Sequence, residues 1–241
     1  MSVLFISDLH LQVKRPDLTT AFSRFLTEQA PQATSLYILG DLFDAWLGDD
    51  AMDDLQQTVA SEIKQLVDRG VAVYFMHGNR DFLIGEDFAA LTGLQLLNDP
   101  CIIFLGDQPV LLSHGDQLCT ADKDYMAFRQ YIRNPATVQK LLSLSVNERI
   151  AMAENIRAQS QAANQAKTDE IMDVTPAEVE KWMVEHNVQW FIHGHTHRPA
   201  IHTLTINQQP AQRIVLGDWD KKGWMLRWDE SVGFDLIDFS L

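Results

Sequence analysis

A layered α/β fold is expected from three features of the sequence. Short apolar runs recur along the chain, each the length of a buried strand. Stretches of helical period fall between them. Nearly every apolar run ends in a small polar cluster, usually with a glycine. Strands alternating with helices favour sheets covered by helices, and in such sheets sites form beyond the C-terminal ends of the strands.

Taken in order, Val3-Leu4-Phe5-Ile6 is a continuous apolar run, the pattern of a strand buried on both faces, and it ends in Ser7-Asp8-Leu9-His10. Residues 19–30 place Phe22, Phe25 and Leu26 on one side of a helix. Leu36-Tyr37-Ile38-Leu39 is the next strand and leads into Gly40-Asp41. Residues 55–69 predict a second helix, closed by Gly70. Residues 71–76 form a third strand, before His77-Gly78-Asn79-Arg80-Asp81. Residues 109–112 begin a fourth, before Ser113-His114-Gly115-Asp116. Residues 188–192 form a fifth, running into His193-Gly194-His195-Thr196-His197-Arg198. Residues 213–216 precede Gly217-Asp218, and residues 224–228 and 233–239 alternate like paired antiparallel strands.

From about residue 120 to 174 only helix signals occur. Asp122 can cap a helix carrying Tyr125, Phe128 and Ile132; Pro135 can open another with Val138, Leu141 and Leu142; a third covers about 146–163. A separate helix follows, with Thr175-Pro176-Ala177-Glu178 read as a capping box. One domain spanning 1–241, with a helical insertion at about 120–174 acting as a lid, is the expected organisation.

The formal net charge of −14 argues against a broad basic face for nucleic acid. It does not exclude a phosphate-bearing substrate, because bound cations reverse the sign of a carboxylate-rich site. Cys101 and Cys119 are spaced neither as a zinc knuckle nor as a redox pair and are expected to be reduced thiols. The N-terminal segment has the pattern of neither a signal peptide nor a spanning helix, so any membrane association is expected to be peripheral. The six tryptophans are expected in packing rather than as a nucleobase platform.

The strand-end residues Asp8, His10, Asp41, Asn79, His114, His195 and His197 all carry groups that ligate divalent metals. Asp8 and His10, like His195 and His197, are two residues apart, which places both side chains on one face of extended chain. Singly each has an ordinary explanation: a turn, a left-handed asparagine, a core histidine. Together they suit two ions sharing a carboxylate, as in two-metal hydrolytic sites. Asp44 and Asp81 are placed either behind the histidines or in surface salt links. His77 and His193 are not expected as ligands.

Asp8-Leu9-His10, Gly40-Asp41, Gly78-Asn79-Arg80-Asp81, His114-Gly115 and Gly194-His195-Thr196-His197, in this order, resemble the calcineurin-like metallophosphoesterases. The resemblance implies a four-layer α/β/β/α sandwich. It implies Asp8, His10, Asp41 and His197 on one metal ion and Asp41, Asn79, His114 and His195 on a second, with Asp41 bridging. Where most of that family carries histidine after the asparagine, this chain has Arg80. Arginine keeps its proton but binds phosphate bidentately, which favours a leaving group that needs no acid, such as a phosphate.

The wider pattern, Tyr37 to Phe43, His77 to Leu83 and His193 to Pro199, is similar to the branch of that family that cleaves UDP-2,3-diacylglucosamine in lipid A biosynthesis. This implies two Mn²⁺ per chain, water attack on the α-phosphorus, and UMP and 2,3-diacylglucosamine 1-phosphate as products. Asp41, Asn79, Arg80 and His195 are then catalytic, and Asn79, Arg80, Asp122, Ser160, Asn164, Lys167 and His195 contact substrate. Arg157, Ser160, Asn164 and Lys167 share a helical face. Met126, Phe128, Ile132, Leu141, Leu142, Met152 and Ile156 are expected to line an acyl-chain groove. The implied setting is the cytoplasmic face of the inner membrane, bound weakly and peripherally, with no nucleic acid and no obligate protein partner. The rival expectation is another two-metal phosphoesterase acting on a nucleotide or a dinucleoside polyphosphate.

Overall fold

A computed structural model of the chain describes residues 2–165 and 171–241, with only the backbone for 161–165. Six strands form one sheet: β1 (Ser2–Ile6), β2 (Ser35–Leu39), β3 (Ala72–Met76), β4 (Gln95–Leu97), β10 (Gly223–Asp229) and β11 (Gly233–Phe239), in the spatial order β11-β10-β1-β2-β3-β4. Five form the second: β5 (Cys101–Leu105), β6 (Gln108–Ser113), β7 (Trp190–His193), β8 (Ala200–Ile206) and β9 (Gln209–Val215), ordered β5-β6-β7-β9-β8. The centres of both sheets are parallel, β1 to β2 to β3 in one and β6 to β7 to β9 in the other.

The period of two along β1 shows how the layers stack. Val3 and Phe5 point between the sheets, into a core with Leu39, Met76, Leu112, Ile192 and Ile214. Leu4 and Ile6 point the other way, to Phe22 and Phe25 of α1 (Pro16–Glu28) and Ile63 of α2 (Asp54–Asp68). On the far face of the second sheet, Leu111 and Phe191 meet Val179 and Met183 of α7 (Pro176–Glu185). The order is helix, sheet, sheet, helix, so the expected four-layer sandwich is the observed one.

The insertion contains α4 (Lys123–Ile132), α5 (Pro135–Leu142) and α6 (Val146–Gln165). Asp122 accepts from the Tyr125 backbone N–H to cap α4, and Asn134 caps α5 ahead of Pro135. Several details depart from expectation. α1 starts at Pro16, where the fixed φ suits the first turn. The strands β4, β5 and β8 and the seven-residue α3 (Glu86–Thr92) had no recognised signal. The capping box at Thr175 does not form: the Thr175 hydroxyl is engaged with Thr120, and the Glu178 carboxylate accepts from Lys181 and Trp182 instead. Among the described residues, no helix is long and apolar enough to cross a membrane.

Candidate metal centre

The seven strand-end residues converge. Asp8 and His10 follow β1, Asp41 follows β2, Asn79 follows β3, His114 follows β6, and His195 and His197 follow β7. Five of them hold left-handed backbone: Asp8 (φ 56°), His10 (50°), Asp41 (54°), His195 (68°) and His197 (56°). Non-glycine residues adopt this region rarely, and clusters of such residues mark functional sites.

Two groups of ligand atoms result. His197 Nε2 lies 3.3 Å from Asp8 Oδ1 and 3.4 Å from His10 Nε2, which lies 3.9 Å from Asp41 Oδ2. On the other side His114 Nε2 is 3.8 Å from Asp41 Oδ2 and 3.0 Å from Asn79 Oδ1, and His195 Nδ1 is 2.9 Å from that same oxygen. Asp41 Oδ2 therefore stands between the two groups. Its Oδ1 accepts from the Arg80 backbone N–H, and Asp8 Oδ2 accepts from Ser7 Oγ and the His195 N–H.

The donor count tests whether cations fit. His114 Nδ1 donates to the Leu39 carbonyl at 2.8 Å, which turns its Nε2 toward two oxygens. Among the described residues, buried Asp8 Oδ1 has no donor near it but His197 Nε2, which also faces His10 Nε2. Lone pairs crowded in this way need a proton or a cation between them. The two clusters Asp8, His10, His197 and Asp8, Asp41, His114 each bring their ligand atoms within 4.8 Å of one another.

Burial pushes the Asp41 carboxyl up to about 6, against the pull of His114. Burial opposes charge on His114, but Asp41, Asp8 and Asp116 push it up to about 9. For Asp8 burial is outweighed by the hydrogen bond and charge of His197, which hold its carboxyl well below the usual range. Burial pulls His10 down to about 4 and His195 down to about 3. His197 is raised, burial being overcome by Asp8.

The surrounding shell corrects and extends the sequence reading. Asp81 is neither a histidine partner nor a surface group: fully buried, it accepts from the backbone N–H groups of Gly78, Asp41 and Leu42 and so holds the Asp41 turn. Asp44 forms a salt link with Arg157 of α6 at 2.6 Å. His77 and His193 each bond a backbone carbonyl through one ring nitrogen. A Cβ at Gly78 would collide with Asp41, and one at Gly194 with Ser7 and Asp8, so both turns require glycine for close approach. Asp218, 3.5 Å from His197 Nδ1, was missed, although Gly217-Asp218 repeats the strand-end signal. Tyr125, for which the sequence gives no more than a place on a helix, stacks its ring on His195.

Two cavities meet at this centre. A polar basin of about 380 Å³ is lined by His10, Asp41, Asn79, Arg80, Asp122, Ser160, His195 and His197. An apolar chamber of about 240 Å³ opens beside it, sharing Asn79 and Arg80. The insertion contributes Phe128, Ile132, Leu141, Met152 and Ile156 to its walls, and the core contributes Trp46, Leu47, Phe82 and Leu83. Met126 and Leu142 do not line it; Leu142 points outward, 42% exposed. Asp122 lines the basin and caps α4 with the same side chain. Lys167 and the Asn164 side chain lie outside the described residues.

Residues 1–199 match the family described as calcineurin-like phosphoesterase. The chain is similar to the UDP-2,3-diacylglucosamine hydrolase of Chromohalobacter salexigens, 52% identical over 241 residues, covering 100% of this chain and 98% of that protein. Proteins of the same name from Marinobacter nauticus (56% identical, covering 94% and 93%) and Pseudomonas aeruginosa (54%, covering 95% of each) match comparably. An archaeal phosphodiesterase of solved structure superposes with a TM-score of 0.53, over 99% of this chain and 100% of that chain; at 12% identity this shows a shared fold.

Proposed function

The chain belongs to the calcineurin-like phosphoesterase family, and on that premise we propose that it hydrolyses the pyrophosphate bond of UDP-2,3-diacylglucosamine. Water attacks the α-phosphorus, giving UMP and 2,3-diacylglucosamine 1-phosphate in lipid A biosynthesis. The observation that carries this reading is the junction of a polar basin with an apolar chamber at Asn79 and Arg80. A water-soluble nucleotide would use the first and have no need of the second.

Asp8, His10, Asp41 and His197 are assigned to one ion and Asp41, Asn79, His114 and His195 to another, with Mn²⁺ the proposed metal. Bound there, the two ions supply Lewis-acid charge and an acidified water. Arg80 lines both cavities and so stands where a diphosphate joins a lipid to a nucleotide. Its fixed charge stabilises the charge that grows on phosphoryl oxygens, and a departing phosphate requires no proton from it. Asn79 Oδ1 lies beside the His114 and His195 ring nitrogens and would share the second ion with them. Asp122 and Ser160, with Asn164 and Lys167, contact the sugar, nucleotide or phosphates. The insertion at about 120–174 serves as the lid of a single catalytic domain, its apolar wall taking the acyl chains. Work on a glycolipid places the protein peripherally on the cytoplasmic face of the inner membrane, with no nucleic acid and no obligate protein partner.

Hydrolysis of UDP-2,3-diacylglucosamine in ¹⁸O-labelled water tests the reaction. Label in UMP is the expected result; label confined to the lipid phosphate refutes α-attack, and absence of UMP refutes the substrate.

A further inference from the structure

Helix α4 carries a polar stripe turned toward the centre. Tyr125 and Arg129 of α4 and Arg133, the residue that caps its C-terminus, recur at every fourth position along one side. The Tyr125 ring stacks on the His195 imidazole, with centroids 5.9 Å apart and planes at 27°. Its hydroxyl donates to Asp116 Oδ2 at 2.7 Å, and Arg129 Nε donates to the same oxygen at 2.7 Å. Arg133 Nη2 donates to the Gly78 carbonyl at 2.7 Å, with its guanidinium over the Phe82 ring. Asp116 lies two residues beyond His114 on the same buried turn, and Gly78 immediately precedes Asn79. The stripe thus touches the three turns that carry His195, His114 and Asn79.

We propose that this stripe is a brace. Tyr125, Arg129 and Arg133 are positioning residues that hold Asn79, His114 and His195 in register, so that docking of α4 determines whether the second ion site forms. The inference rests on the two-ion assignment above. Asp116 is fully buried, so loss of Arg129 strands a charge there and releases the turn that bears His114. Loss of the Tyr125 ring frees the His195 imidazole to rotate. Partners one step behind metal ligands typically change ion affinity by about 10–100-fold. The insertion then has two jobs: walling the chamber, and completing one half of the centre.

The test is titration of the chelator-stripped full chain with Mn²⁺, followed by electron paramagnetic resonance and calorimetry. Wild type is expected to bind two ions. Arg129→Ala and Tyr125→Leu should leave one ion at wild-type affinity and weaken the other about 10–100-fold. Tyr125→Phe, which keeps the stack, and Arg129→Lys, which keeps the cation, should lose less. Arg129→Ala risks misfolding around the stranded carboxylate; Tyr125→Phe and Arg133→Ala strand no charge and carry the test if it does. Equal weakening of both ions, or no weakening in any variant, overturns the brace. A wild-type chain that binds one ion removes the two-ion assignment instead. The brace is then read from imidazole resonances of the ion-free chain, where Tyr125→Leu should shift His195 and leave His10 in place; an unmoved His195 overturns it.

Discussion

The polar basin and the apolar chamber share Asn79 and Arg80 but are built differently. The basin is made of turns at the ends of strands from both sheets, fixed by backbone: left-handed residues, glycines in forced contact, and the Asp81 carboxylate holding four N–H groups. The chamber is made of side chains from two pieces of the fold that need not have met. One wall is the segment 44–47 with Phe82 and Leu83; the other is the insertion. Two arginines of α6 join the walls. Arg149 forks onto the Asp50 carboxylate and bonds the Leu47 carbonyl while only 4% exposed, and Arg157 pairs with Asp44. A site fixed by backbone is expected to fail all at once and for every substrate. A site formed by opposed side chains is expected to fail by degrees and selectively.

Perturbations of decreasing size can break or sharpen this contrast. Asp41→Ala removes the oxygen that faces both His10 and His114. Turnover should fall by about 10³-fold or more, alike for the lipid substrate and for bis(p-nitrophenyl) phosphate, and bound metal should drop. Retained activity would remove the two-ion centre. Arg80→Ala acts at the junction and should lower kcat about 10²-fold with the pyrophosphate substrate. If Arg80→Ala costs nothing and Arg80→His leaves the pyrophosphatase intact, arginine has no special role there.

Ala153→Trp places a ring in the chamber. It should lower kcat/KM for the diacyl substrate about 10–100-fold and leave the soluble diester near wild type, as measured on both in parallel. Equal loss on the two would merge the regions into one. The mildest probe is pH. In the ion-free chain carboxylates push His114 up to about 9, so at neutral pH a proton sits on the nitrogen that an ion needs. Ion affinity should rise with pH from 7 toward 9, by at most about tenfold per unit, then level off. Calorimetry of Mn²⁺ binding at pH 7, 8 and 9 measures this; a flat profile would show that His114 gives up no proton.

The two regions were also unequally legible in the sequence. All seven centre residues could be named because each follows a strongly apolar strand, and an apolar run meeting a polar cluster is a local signal. Gly217-Asp218 carries the same signal as Gly40-Asp41, and only the fold sets Asp218 beside His197. The chamber was half legible. Its helical wall follows from apolar residues in the insertion, whereas Trp46, Leu47, Phe82 and Leu83 lie on irregular loops that have no period to read. The stripe of Tyr125, Arg129 and Arg133 has a clear period, but a polar stripe on a helix ordinarily faces water, and only the fold shows that this one faces Asp116. The strands β4, β5 and β8 escaped because they lie at sheet edges, where burial is partial and the pattern weak.

The left-handed turns limit which residues the centre can recruit. Glutamate and cysteine are both competent ligands, yet neither has the short polar side chain that makes φ near 55° tolerable, whereas asparagine, aspartate and histidine are enriched there. At these five positions the use of Asp and His is thus as much a demand of the backbone as of any ion held there. Laboratory evolution toward a softer metal would stall at Asp8, His10, Asp41, His195 and His197 unless the turns were rebuilt first.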